Sequence, residues 1–280
     1  MGPGPSTSYP IFNTPTGLAA SIHRSGWDAC STASNHSLDQ GLEGIRGTVA
    51  ALDDRDVAHT GSFPSPELSR RPTILKVRGV KLGFVSFTDA TNGIPAPTAW
   101  AVNEYAAADP KAGADAILAD ARRARREGAT AVIVNLHWGD ENSSLPNESQ
   151  LAVAKRLTAS PLITAVVGQG PHVVQPIWRM NDKFVVFSEG NLVSNQGTAS
   201  GLPAATQDGL IALLRFEAKR GRVRVERVDY VPIWVRPGDY VVLPAEPSAN
   251  PNYAGTLRDS RARTISVAGD GDGIEPVRGG

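Results

Sequence analysis

The stretch GATAVIVNLHWGDE, Gly128 to Glu141, decides how the rest of the chain is read. Its segment TAVIVNL is apolar without alternation, the pattern of a strand covered on both faces in a parallel sheet. Gly128 bounds the run on one side and His137 on the other, so the polar residues begin where the strand ends. Upstream, Lys111 to Glu127 places Ala114, Ile117, Leu118 and Ala121 on one helical face. Its basic cluster, Arg122, Arg123, Arg125 and Arg126, reads as a solvated face with cations near the C-terminal end, where the helix dipole favours them. Downstream, Asn147 opens a helix running to Ala159, and LITAVVG is the next buried strand.

Working outward, TILKV and KLGFVSFT flank Arg78-Gly79-Val80 as a hairpin, and VQPIWRM pairs with KFVVFSEG across Asn181-Asp182. The stretch LIALLRFEAKRGRVRVERVDYVPIWV alternates like long antiparallel strands joined at Arg220-Gly221. Nearer the start, Thr16 is expected to cap a short helix through Arg24, WDACSTA to form a strand, and Leu42 to Asp53 to form a helix. Helices alternating with strands and then giving way to an antiparallel section indicate a layered α/β fold. The expected organisation is a disordered arm over residues 1–8, one domain over 9–243 and a loose tail over 244–280.

Composition narrows the function classes. The 280 residues are 41% apolar and 20% charged, ordinary for a globular chain. Lys plus Arg and Asp plus Glu both number 28, so bulk charge gives no grip on nucleic acid. A single cysteine, Cys30, rules out an internal disulfide and a thiolate zinc site, and reads as a small buried strand residue. No stretch is long and apolar enough for a membrane span.

Five histidines are present, and three of them, His36, His137 and His172, stand just beyond the end of an expected strand. In layered α/β folds the chemistry lies in loops past the carboxyl ends of the strands. All three imidazoles are therefore expected at one sheet edge, in one pocket, where neutral imidazoles can hold a transition metal. Taken one at a time, a capping or surface role serves each of them equally well. His23 and His59 read as surface residues.

Four motifs, ASNHSLDQG, VNLHWGDE, VVGQGPHVVQPI and FSEGNLVSNQ, occur in the order and spacing of the CapA family. These capsule-synthesis proteins are linked to poly-γ-glutamate, and their domain resembles calcineurin-like metallophosphoesterases. YPIFNTP and VDYVPIWV are similar to the same family, so the resemblance runs from about Tyr9 to Val242. It implies a layered sandwich of metallophosphatase type, with mixed sheets and helices outside. It also implies a centre of two divalent ions (Mn, Zn, Fe or Mg). Asn35, His137 and His172 match metal ligands. His36 matches the residue that donates a proton to the leaving group, and Asp39 is placed to orient that imidazole. Glu141 matches a family acid, Asn191 a residue that shapes the pocket, and Trp138 is grouped with them as pocket-lining. The implied partners are capsule polymer or a phosphoester substrate, together with capsule-synthesis machinery.

Two departures from the family pattern stand out. Where the family carries a further His, this chain has Gly170, which cannot coordinate through a side chain; Gln169 is the neighbouring candidate. Family members also begin with a strand ending in Gly-Asp, followed by an acidic motif, and these supply the bridging carboxylates. Only MGPGPSTS precedes YPIFNTP here. The reading frame is therefore expected to continue upstream of Met1 with that strand, the acidic motif and a signal or lipid anchor, consistent with a cell-surface or membrane-associated protein. Two functions stay open: a metal-dependent hydrolase whose metal site is depleted in this chain, and a non-catalytic assembly component that binds polymer or partner proteins.

Overall fold

The computed structural model describes residues 1–219 and 221–277, which divide into two compact units, Met1–His137 and Trp138–Gly280. The first unit contains α1 (Gly17–Arg24), β1 (Ala29–Ser31), α2 (Gly41–Asp53), β2 (Ala58–Thr60), β3 (Thr73–Val77), β4 (Val80–Thr88), α3 (Pro110–Arg126) and β5 (Ala131–His137). β1 runs parallel to β2. β3 and β4 form the expected hairpin; Arg78 and Gly79 both take positive φ, the geometry of a tight turn matching strand twist. β4 then runs parallel to β5, with Thr88 opposite His137.

α3 starts where Asp109 accepts the Ala112 N–H and Pro110 occupies the first turn. It buries Ala114, Ile117, Ala121 and Ala124, while Arg123 pairs with Asp120 and Arg125 donates to the Ala129 carbonyl. α2 buries Ile45 and Val49 with Leu38, Ala101 and Val102. Thr16 makes no side-chain cap on α1, because its own backbone is already helical. His59 is only partly exposed, on β2, and bonds Asp53 at 3.1 Å, so it is not a plain surface residue.

Residues 1–8, expected as a disordered arm, are instead anchored by a buried amide. Asn13 is 4% exposed; its Oδ1 accepts the Gly2 N–H and its Nδ2 donates to the Pro5 carbonyl. A buried side-chain amide has to be satisfied, and the arm supplies the partners.

The second unit contains α4 (Glu148–Ala159), β6 (Ala165–Gln169), β7 (Ile177–Met180), β8 (Lys183–Val186), β9 (Asp208–Lys219), β10 (Arg222–Val235), β11 (Val242–Pro244), α5 (Ala254–Ala268) and β12 (Ile274–Pro276). β6 is parallel to β8, and β8 is antiparallel to β7 across Asn181 and Asp182, both with positive φ. β9 and β10 form the long antiparallel pair; the turn expected at Arg220-Gly221 includes Arg220, which lies outside the described residues. β11 and β12 flank β10, β12 in parallel. The expected loose tail is thus ordered as far as residue 277, with 278–280 outside the described residues. α5 is fixed there by its own buried residues Leu257, Ser260, Thr264 and Ala268.

The interior of this unit turns on Trp138. It is 1% exposed, its Nε1–H donates to the Phe187 carbonyl at 2.8 Å, and its ring stacks on Phe187. A Cβ at Gly168 would lie 2.1 Å from the Phe187 oxygen and 2.3 Å from the indole nitrogen, so only glycine fits. Trp138 is therefore a core residue, which corrects its expected place in a pocket lining. Across the described residues, no helix is long and apolar enough to cross a membrane.

Two predictions concern this interior. Trp138→Phe leaves a buried carbonyl without a donor and is expected to cost about 2 kcal/mol in urea unfolding, the usual penalty for an orphaned polar group; no loss would contradict the packing. Glu189 follows β8, and burial pushes its carboxyl up to about 7 despite a hydrogen bond from the Ala212 N–H. Between the ordinary carboxyl range and pH 7 the unfolded chain releases this proton while the folded chain keeps it. Stability therefore falls as pH rises through that window and levels off above it. Glu189→Gln should flatten the slope, stabilising the protein more at pH 8 than at pH 5; an equal effect at both would contradict it.

Candidate functional site

Leaving β1, the chain turns through residues 32–37 on its own hydroxyls. Ser37 Oγ donates to the Thr32 carbonyl and accepts the Ser34 N–H, both at 2.8 Å, and Ser34 Oγ accepts the His36 N–H at 3.2 Å. Short hydroxyl side chains bond nearby backbone in this way and fix such turns locally. Asn35 and His36 stand within it.

His36 Nδ1 lies 2.8 Å from Asp39 Oδ2. The carboxylate accepts, so Nδ1 carries the proton and Nε2 is left with the lone pair. The Asp39 side chain is 3% exposed against 30% for His36, so a buried carboxylate supports a half-exposed imidazole. Phe12 completes the support: its backbone N–H donates to the same Oδ2 at 2.8 Å, and its ring meets the imidazole edge-on at 4.7 Å. Asp39 Oδ1 is buried without a hydrogen-bond partner. A cavity of about 260 Å³ opens beside the pair, lined by Phe12, Thr32, Ser34, His36, Ser37 and Asp39 among others.

The loop after β4 ties two of the expected site residues together. Its Asp89 N–H donates to the His137 carbonyl at 3.0 Å, and its Asn92 Oδ1 accepts from Asn35 Nδ2 at 3.2 Å. Asn92 Nδ2 also lies 3.4 Å from His36 Nδ1, too long to compete with the bond to Asp39. His137 is the last residue of β5. Its Nδ1 is 3.4 Å from Thr88 Oγ1, whose own proton goes to the Ala90 carbonyl at 2.9 Å. That contact is long, and it turns Nδ1 toward an acceptor.

In the second unit, His172 is held more tightly. Its Nδ1 is 2.9 Å from Asn191 Oδ1. Asn191 Nδ2 donates to the carbonyls of Thr206 and His172, so its oxygen must be the acceptor for the ring. The proton is on Nδ1, and Nε2 presents a lone pair, the arrangement in which a second residue orients a ligand or a base. Asn191, expected to shape a pocket, is seen here to hold the His172 ring. His172 itself has φ +60, and Gly170 before it has φ +122, a conformation that L side chains rarely adopt. A histidine at Gly170 would be strained there. Gln169 ends β6, and its carbonyl accepts the Trp138 N–H at 2.8 Å. Glu141 is exposed on the loop after Trp138.

Asn35, His137 and His172 offer an amide oxygen and neutral nitrogens. Among the described residues no group of three or more His, Cys, Asp or Glu side chains is arranged to hold a metal ion. Hard divalent ions favour oxygen ligands, carboxylates foremost, and this set offers one amide oxygen. These donors do not by themselves complete a two-metal centre. The residues that sequence reasoning missed are Phe12, Thr88 and Asn92. Asn92-Gly93 reads only as a turn, and nothing local marks the other two.

Residues 2–196 match the family described as Bacterial capsule synthesis protein PGA_cap. The chain is 26% identical to the capsule biosynthesis protein CapA of Bacillus anthracis, over 78% of this chain and 50% of that protein. It is 27% identical to the PGA biosynthesis protein CapA of Bacillus subtilis, over 71% and 50%. A probable polyglutamine synthesis accessory protein of Mycobacterium tuberculosis is 29% identical, over 59% and 45%. The chain thus spans about half the length of the curated relatives it matches. The solved calcineurin-like phosphoesterase YfkN of Bacillus subtilis is 15% identical at a TM-score of 0.42, covering 91% of this chain and 81% of its own. With most of its length matched, the chain belongs to the bacterial capsule synthesis protein family PGA_cap.

Proposed function

We propose that this chain acts in the synthesis or processing of capsule or poly-γ-glutamate polymer, as a hydrolase in which His36 moves the proton. The observation that carries this reading is the Asp39 carboxylate, buried and bonded to His36 Nδ1 beside an open cavity. With protons on both ring nitrogens, His36 gives its Nε2 proton to the departing nitrogen or oxygen as water adds to the scissile carbonyl or phosphoryl group. The proton released by that water restores the ring. Asp39 holds the ring in place and stabilises its charged form. Asn35 stands beside His36, and His137 and His172 are further candidate bases or ligands. Among the described residues the donors do not by themselves complete a metal centre. Residence at the cell surface, beside capsule-synthesis machinery, goes with this reading.

A second reading has its own observation, the lack of a metal-holding cluster among the described residues. On that reading the chain is a non-catalytic assembly component that binds polymer or partner proteins.

Kinetics separate the two. His36→Ala should lower kcat/KM toward a γ-linked glutamyl oligomer or a generic phosphodiester by about 10²–10⁴-fold, the usual contribution of a positioned acid. Asp39→Asn, which keeps the shape and removes the charge, should lower it by about 10²-fold or more. No turnover by the unaltered protein, with Mn, Zn, Fe and Mg at background after purification, would favour the assembly component instead.

A further inference from the structure

A second cleft lies wholly in the C-terminal unit, between the segment after His172, the residues before β9, and α5. Its volume is about 230 Å³. Val173, Val174, Pro203 and Val267 form apolar walls, and Arg263 and Thr264 supply polar groups. All of α5 and β9 lie beyond the residues matched by the family, whereas Val173 and Val174 lie within them, directly after His172, and no cleft-lining residue is one of the site residues described above.

Arg263 is held rigidly. Its Nε donates to Asp208 Oδ2 at 2.7 Å and its Nη2 to Asp208 Oδ1 at 2.9 Å. The Asp208 side chain is 3% exposed and that of Arg263 37% exposed, so the carboxylate is buried behind the guanidinium. A guanidinium has five N–H donors in a fixed fork, and Asp208 takes two of them, leaving three for a ligand. The adjacent Thr264 is 1% exposed, and its Oγ1 is buried without a hydrogen-bond partner. A buried hydroxyl left unpaired on the wall of a cleft is an unmet donor, and it lines the same cavity as the guanidinium. Among the described residues lining the cleft, Asp208 and Arg263 are the ionisable ones, and the Asp259 carboxylate, one turn back on α5, also acts on the guanidinium.

We infer that this cleft is a subsite for an aliphatic carboxylate, in particular one unit of a γ-linked glutamyl chain. The valine and proline walls take the methylenes, and the free N–H groups of Arg263, with the Thr264 hydroxyl, take the carboxylate. Such a chain repeats both features, two methylenes and then a carboxylate, in every unit. The inference rests on the polymer reading of the family but not on catalysis.

Calorimetric titration of the full chain tests it, with glutarate as the minimal probe and a γ-linked glutamyl tetramer as the polymer. Saturable binding that weakens with salt is expected, tighter for the tetramer than for glutarate. Arg263→Lys keeps a cation opposite Asp208 but loses the fork, and should weaken binding about tenfold or more. Thr264→Val keeps the shape, removes an unpaired buried hydroxyl, and should weaken binding about three- to tenfold with a thermal midpoint no lower than that of the unaltered protein. Neither substitution should alter turnover of a small phosphodiester at His36. Loss of turnover in His36→Ala with tetramer binding intact would sustain the subsite independently of the hydrolase reading. Absence of saturable binding, equal affinity of both variants and the unaltered protein, or glutarate binding with no gain for the tetramer would each overturn the assignment.

Discussion

A carboxylate with almost no exposure to water stands at the start of α2, and much of the first unit is arranged to satisfy it. Asp39 takes one hydrogen bond from an imidazole three residues back and one from a backbone amide 27 residues back, both on the same oxygen. Burying such a group unpaired is costly, so these partners are obligatory rather than incidental. The same two bonds place Phe12 against the His36 ring and bring the segment before α1 onto the turn after β1. Gln40 Nε2 fastens that segment again by donating to the Phe12 carbonyl at 3.1 Å. The imidazole proposed to move the proton is therefore positioned by the interaction that also closes this part of the fold.

The second unit uses side-chain amides for the same end. Asn191 orients His172, and Gln150 donates to Gln175 at 2.8 Å inside the protein. Gln175 Nε2 in turn donates to the carbonyls of Ser143 and Leu145, which fixes the loop after Trp138. Buried amides satisfied on every side act as rigid spacers. The loops that carry His172 and Glu141 are thus fixed by polar contacts as well as by packing. Loops supported in this way can hold a reacting group in one orientation, which positioned acid–base chemistry demands.

Much of this was legible in the sequence, because the signals were local or periodic. The unbroken run ending at His137 became β5, the turns at Arg78-Gly79 and Asn181-Asp182 became hairpins, and Asn147, expected to open a helix, caps α4. The spacing of His36 and Asp39 is that of residues that can meet across one turn. What escaped was long-range or polar. The partner of the Trp138 indole is a carbonyl 49 residues away, and the partner of Asn35 is an amide 57 residues away. α5 escaped for another reason: of its four buried residues two are Ser260 and Thr264, so the apolar period that marks a helix face is broken. The Gly170 departure, read from sequence as a lost ligand, is also a backbone requirement, since its φ of +122 suits glycine.

The position of the proton on His36 follows from Asp39, and it can be observed directly. Nitrogen-15 NMR of the imidazole, recorded near neutral pH on the full chain and on Asp39→Asn, reads which ring nitrogen carries it. In the unaltered protein the neutral ring should hold its proton on Nδ1, with Nε2 unprotonated, and Asp39→Asn should disturb that assignment. A neutral ring protonated on Nε2 in the unaltered protein, or a spectrum indifferent to the substitution, would contradict the role given to Asp39.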